Sequence, residues 1–281
     1  MGAIPRIAVL GVPWDASSSC ERGAAEAPAA IRQALWSPST NTATELGTAV
    51  ERETFEDRGD LRLPDEGSAA RAAIETGTRE VLDSGAVPCL LGGDHSISYP
   101  ALRAFRSVAG LTILHVDAHG DMYDEFPFPE PGTRQGTGDR YSHACPFARI
   151  MEERLAARLI QVGIRTATAH LRAQAARFGA EVYGMDRALD VPVEAIQGPV
   201  YVSLDLDGLD PAFAPGVAHP EPGGLATRDV VALLHRLRAP IVGSDIVEYN
   251  PRFDVRDLTA RVAAKLLKEL IAVAIRNHPP S

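Results

Sequence analysis

Six side chains with metal-binding heads stand in three short stretches: Gly92-Gly93-Asp94-His95, Asp117-Ala118-His119-Gly120-Asp121 and Asp205-Leu206-Asp207. His95, Asp117, His119, Asp121, Asp205 and Asp207 together offer four carboxylates and two imidazoles. That set suits two divalent cations if two of the carboxylates are shared. A single cation would leave too much negative charge gathered in one place. Two cations acting on one water supply hydroxide near neutral pH, so the pattern points to a hydrolase. Mixed oxygen and nitrogen donors favour Mn²⁺, Zn²⁺, Ni²⁺ or Fe²⁺ over Mg²⁺ and Ca²⁺. Zinc sites use fewer carboxylates, and ligand hardness puts two Mn²⁺ per chain first, with Ni²⁺ or Zn²⁺ as alternatives.

Each stretch follows an apolar run that reads as a buried strand. Residues two apart on a strand point the same way, so Asp205 and Asp207 present two carboxylates to one spot. Asp117 ends its strand, and His119 and Asp121 continue at the same parity. Gly92-Gly93 allows a sharp turn that brings His95 to the same edge.

The elements that must position these groups follow from apolar periodicity. Strands are predicted at 7–12, 87–91, 111–116, 159–163, 181–183, 200–206 and 241–247. Helices are predicted at 27–35, 68–82, 96–105, 146–155, 167–178 and 227–237, the last capped by Thr227 with Asp229 in its first turn. A final helix from 258 to about 276 places Leu258, Val262, Leu266, Leu270 and Ala274 on one face. Residues 36–65 have weak periodicity and receive no assignment, and 126–139 and 210–224 read as Pro/Gly loops. Alternating strands and helices imply an α/β fold: one domain over 1–281, three layers α/β/α, with a mostly parallel sheet. All acidic and His clusters fall at strand C-termini, where open α/β sheets place ligands.

Composition narrows the partners. The chain has 281 residues, is 45% hydrophobic and 23% charged, and carries a formal net charge of −9. This is an ordinary globular composition. The negative balance argues against nucleic acid or an anionic membrane and weakly suits a cationic substrate. Cys20, Cys89 and Cys145 are scattered and odd in number, which fits reduced thiols rather than a disulfide framework. Arg6 stands where a myristoylation signal wants Ser or Thr, and no apolar run is long enough for a signal peptide or a membrane span. A cytoplasmic location is the default expectation.

The joint pattern resembles the ureohydrolases, the family of arginase, agmatinase and their relatives. The likeness rests on Gly92-Gly-Asp-His-Ser96, His115-Val-Asp-Ala-His-Gly-Asp121, Ser203-Leu-Asp-Leu-Asp-Gly-Leu-Asp-Pro211 with Pro222-Gly-Gly-Leu225, and Asp245-Ile-Val-Glu-Tyr-Asn-Pro251. Gly11-Val-Pro-Trp-Asp15 and Ala27-Pro-Ala-Ala-Ile-Arg32 add to it, so it spans nearly the whole chain. The resemblance implies that His95, Asp117, Asp121 and Asp205 hold one Mn²⁺, and that Asp117, His119, Asp205 and Asp207 hold the other. It implies three catalytic residues. Asp121 takes a proton and passes it to the leaving amine, His143 shuttles protons, and Glu248 pairs with the substrate guanidinium. Ala144-Cys145 departs from the family's His-Gly-Thr beside the shuttle. His115 is expected to be a buried supporting residue, His219 to line the entrance, and Asp94, Asp210 and Asp245 to orient ligands or fix loops.

The substrate is expected to be a small cationic guanidino compound, with agmatine, cleaved to putrescine and urea, placed first. An arginase-type Ser/Asn segment is not found; a longer insert, 122–142, stands in its place. Its Asp124, Glu125, Glu130 and Asp139 outweigh Arg134 and Arg140, and a net acidic lip favours an amine tail. Arginine, guanidino acids such as guanidinobutyrate, and formiminoglutamate are the alternatives. Two readings from other classes are a single-zinc deacetylase-like enzyme and a non-catalytic metal-binding paralogue. The resemblance also implies a homo-oligomer, trimer or hexamer.

Overall fold

A computed structural model describes residues 5–127 and 138–278. Eight strands form one sheet: β1 (Arg6–Gly11), β2 (Glu56–Asp60), β3 (Ala86–Leu91), β4 (Thr112–Val116), β5 (Arg158–Ile164), β6 (Glu181–Gly184), β7 (Val200–Asp205) and β8 (Ile241–Val247). Their order is β2-β1-β3-β8-β7-β4-β5-β6, and every pairing is parallel. The sheet is therefore wholly rather than mostly parallel. Its central strands are apolar on both faces because helices cover both. Ile7, Val9, Leu114, Val202 and Ile246 pack with α1 (Ala27–Leu35), α6 (Thr227–Arg236) and α7 (Leu258–Asn277). The opposite face meets α2 (Gly67–Asp83), α3 (Ser98–Arg103), α4 (Pro146–Glu152) and α5 (Ala169–Phe178).

The strand missing from the sequence reading is β2, Glu-Asp-Arg-Gly-Asp. It is an edge strand with exposed faces, so it needs no apolar period, and its charges guard the edge. Arg32 of α1 holds it, with Nε 2.8 Å from Asp57 Oδ2. Two helix starts also differ from expectation. The predicted helix at 96–105 opens as a 3₁₀ turn, His95–Ile97, because Asp94 accepts from the Ser96 amide at 3.1 Å. Thr227 does not cap α6. Ala226 holds the cap position, and Asp229 Oδ2 reaches back to its amide at 2.9 Å. In α7, Val262, Leu266, Leu270 and Ala274 are buried as expected, but Leu258 is 40% exposed at the helix start. No helix is long and apolar enough to cross a membrane among the described residues.

Gly93 shows why the turn after β3 needs glycine. A Cβ there would lie 1.7 Å from the Trp14 carbonyl oxygen. That carbonyl accepts from the Asp94 amide at 2.8 Å, and Gly93 O accepts from Glu248 N at 2.9 Å. The expected result for Gly93→Ala is a loss of about 3 kcal/mol through overpacking, or roughly 10 °C in Tm. Thermal denaturation checks it; an unchanged Tm would show that the Trp14 loop gives way freely.

Candidate metal centre

Four neighbouring strands, β3, β8, β7 and β4, deliver the predicted residues to one edge. His95 follows β3, and Asp117, His119 and Asp121 follow β4. Asp205 ends β7, and Glu248 follows β8. All six predicted ligands come together there.

His95 is fully buried, and its tautomer follows from its partners. Ser203 Oγ donates to the Asp245 carboxylate at 2.6 Å and so accepts from His95 Nε2, 2.9 Å away. Asp245 is held in turn by Ser98 and Tyr201. His95 Nδ1 is then left with its lone pair inward and no hydrogen-bond partner. It faces Asp205 Oδ2 at 2.9 Å, Asp121 Oδ2 at 3.1 Å and Asp117 Oδ2 at 3.2 Å. Burial opposes charge on this ring, yet the three carboxylates raise its pKa well above the usual histidine range. A cation among the same atoms answers the same pull, so the donor set fits a divalent metal.

His119 Nδ1 lies 3.0 Å from Asp207 Oδ2 and 3.4 Å from Asp117 Oδ1. Two groups result, His95–Asp117–Asp121–Asp205 and Asp117–His119–Asp207. Asp117 belongs to both, with Oδ2 toward His95 and Oδ1 toward His119. Asp205, the other expected bridge, reaches the first group through Oδ2. Its Oδ1 caps the 3₁₀ turn that ends β7, accepting from Asp207 N at 2.8 Å.

Crowding appears in the protonation of these carboxylates. Burial, then Asp207 and Asp117, pushes Asp205 well above the usual carboxylate range. Burial and Asp117 push Asp207 to about 7. Asp117 goes the other way: His115, His119 and His95 overcome its burial and hold it well below that range. Such a cluster is stable only with positive charge in its midst.

A third group, His95–His115–Asp117, is not a metal site. Gln161 donates its amide to Gly120 O at 2.7 Å and to His115 Nδ1 at 3.0 Å. His115 must then carry its proton on Nε2, which it gives to Asp117 Oδ2 at 2.7 Å. Burial lowers the His115 pKa and keeps it neutral. It steadies the Asp117 carboxylate.

Glu248 and His143 were read as separate actors; the structure joins them. Glu248 Oε1 accepts from His143 Nδ1 at 2.8 Å and from His95 N at 2.7 Å. Burial opposes charge on His143, but Glu248 raises its pKa to about 9. Asp121 and Glu248 both have positive φ, 44° and 63°. Such backbone is costly for non-glycine residues and concentrates at functional sites.

Ser19 was missed. Its amide is 3.2 Å and its hydroxyl 2.8 Å from His143 Nε2. Asp94 anchors the same loop through Ser17 N and Ser18 Oγ. The available signal was Ser17-Ser18-Ser19 a few residues past β1, on the edge that carries the other clusters. Asp210 fixes its loop as expected, accepting from the Gly223 and Gly224 amides.

A cavity of about 240 Å³ opens over Asp121, Asp205, Asp207 and Glu248, and His219, Tyr123 and Phe126 stand among its walls. The described part of the insert thus contributes the Tyr123 and Phe126 rings to the cavity wall. Asp124 turns to Gln174 and Arg177, Arg140 to Glu152, and Asp139 to the Tyr141 amide. Glu130 and Arg134 lie outside the described residues. Ala144 lines the cavity and Cys145 is buried at the start of α4.

Comparison with known proteins agrees with this geometry. Residues 5–272 match the model of the Arginase family. "Arginase 1, mitochondrial" of Arabidopsis thaliana is 44% identical over 96% of this chain and 82% of its own length. The structure of the arginase from Medicago truncatula superposes with a TM-score of 0.88 at 40% identity, covering 98% of this chain and 89% of that one. That of agmatine ureohydrolase from Thermoplasma volcanium gives 0.81 at 32% identity, over 96% and 90%. A wholly parallel sheet, two carboxylate–imidazole groups sharing Asp117, and a match over almost every described residue lead to one conclusion: the chain belongs to the arginase family.

Proposed function

We propose that this protein is a hydrolase of guanidino compounds that cleaves L-arginine to urea and ornithine with two Mn²⁺. The observation that carries the substrate is the 44% identity, over 96% of the chain, to a relative named an arginase. The acidic-lip argument for agmatine weakens, because Asp124, Asp139 and Arg140 pair with groups outside the cavity lining.

The residues divide the work. His95, Asp117, Asp121 and Asp205 would hold one cation, and Asp117, His119, Asp205 and Asp207 the other. When bound, the pair supplies an activated water and positive charge for the transition state. Glu248 uses Oε1 for His143 and His95, which leaves Oε2 to accept from the guanidinium and set the carbon's orientation. Asp121, which lines the cavity, accepts the proton of the water whose oxygen adds to the guanidinium carbon. As the C–N bond to the substrate tail breaks, that proton passes to the leaving amine, and His143 renews the supply.

A specific observation keeps agmatine as the second reading. No lysine or arginine lines the cavity among the described residues, while Glu221 does. That wall suits an amine tail. Urea release from the Mn²⁺-loaded protein should give the highest kcat/KM with arginine across arginine, agmatine, guanidinobutyrate and formiminoglutamate (the last scored as formamide). A higher value with agmatine would reverse the order. We further propose a trimeric or hexameric assembly, which light scattering of the purified protein reads directly.

A further inference from the structure

We infer that Arg165 is a positioning residue that builds the second cation site and ties it to the rim of the substrate cavity. The inference rests on the two-cation reading above. Arg165 follows β5 and contributes no ligand. Its guanidinium is half-buried, and all its described bonds go to main-chain carbonyls. Nη2 donates to Asp207 O at 2.7 Å, Leu209 O at 3.2 Å and Glu221 O at 2.6 Å. Nη1 donates to Gly208 O at 3.2 Å and Gly163 O at 3.3 Å, and Nε to Glu221 O at 3.1 Å.

These contacts select one site. The turn Leu206–Gly208 carries Asp207, and the Glu221 segment carries the cavity wall next to His219. The same stretch of chain also holds the other ligand that belongs to the second site alone. Arg165 N donates to Ala118 O at 2.9 Å, and Thr166 Oγ1 does so at 3.1 Å, fixing the backbone that presents His119. Ala118 N donates to Asp207 Oδ1 at 3.2 Å, closing the loop between them. In the two-cation reading, where Asp117 and Asp205 are shared, the ligands left to the first site alone are held by other means: His95 through Ser203, and Asp121 through its carbonyl to Phe147 N at 3.0 Å. Arg165 touches neither.

Only a planar fork of five donors can span carbonyls from three segments. Lysine keeps the charge but has a single ammonium. Arg165→Lys should therefore weaken one cation and spare the other. Calorimetric titration with Mn²⁺ alone is expected to show two sites in the natural protein. In the variant, one site should be unchanged and one weakened about 10-fold or more, the scale for lost support of a ligand. At saturating Mn²⁺ the substrate KM should rise more than kcat falls, because the Glu221 rim has lost its anchor. Equal weakening at both sites, or two sites as tight as before, overturns the inference while leaving the two-cation reading intact. A natural protein that takes up only one Mn²⁺ overturns both. If Arg165→Lys does not fold, Thr166→Ala is read in the same titration. It removes one of the bonds to Ala118 O, and indifference of both sites would again overturn the inference.

Discussion

Asp117→Asn should abolish tight binding at both cation sites and lower kcat/KM at least about 10³-fold, the scale for removing one charge-stabilising group from a reaction centre. Asp117 is the carboxylate that stands in both groups, with Oδ2 toward His95 and Oδ1 toward His119. It is also the most firmly ionised carboxylate of the cluster, since three histidines hold its pKa down against burial. Asparagine keeps the shape but removes the charge, and an amide nitrogen must then face His115 Nε2–H or the His119 amide. Those donors now touch Asp117 at 2.7 Å and 2.5 Å. Either orientation sets donor against donor inside a buried site, which adds to the lost charge. Asp207→Asn, by contrast, touches one group only and should cost one cation. Metal content after dialysis, measured alongside urea release, separates the two variants. Retention of two cations by Asp117→Asn would show that the carboxylate is not shared.

The second large effect concerns Glu248 and His143. Glu248→Gln is expected to reduce kcat/KM about 10²- to 10³-fold, through the lost charge toward the guanidinium and a displaced carbon. His143→Ala should cost about 10²-fold or more, as for loss of a positioned acid–base group. Because Glu248 Oε1 and His143 Nδ1 share a hydrogen bond of 2.8 Å, the double variant should fall well short of the product of the two losses. Groups in contact lose part of their worth with the first deletion. A double-mutant cycle on kcat/KM measures this directly. Additive losses would mean that the two residues act independently, as the sequence alone suggested.

The donor set was legible because its chemistry is local. Strand parity puts Asp205 with Asp207, and His119 with Asp121, on one side, and apolar runs before each stretch mark the strands that end there. The charge count also required two shared carboxylates. What parity could not decide was how their oxygens divide between the two groups. Asp117 reaches both groups because Oδ2 faces His95 and Oδ1 faces His119. Nor could it decide the polarity of His115, which depends on Gln161 from a neighbouring strand. The edge strand β2 was illegible for the opposite reason: it buries nothing, so it carries no pattern. The insert was hard to read for a related reason: the charges of a loop say nothing about where they point until their partners, here on α4 and α5 for Arg140 and Asp124, are known.

By itself, then, the sequence determined the α/β class, the edge of the sheet that does chemistry, and the six donors gathered there, since all of these follow from residue type and spacing along one chain. The tertiary structure alone decided the strand order. That order inserts β8 and β7 between β3 and β4, and so brings Glu248 against His143 and His95. It also decided the Ser19 contact and the carbonyl grip of Arg165. Each is a contact between residues far apart in the chain, whose meeting is set by packing of the whole sheet and its helices rather than by any local rule.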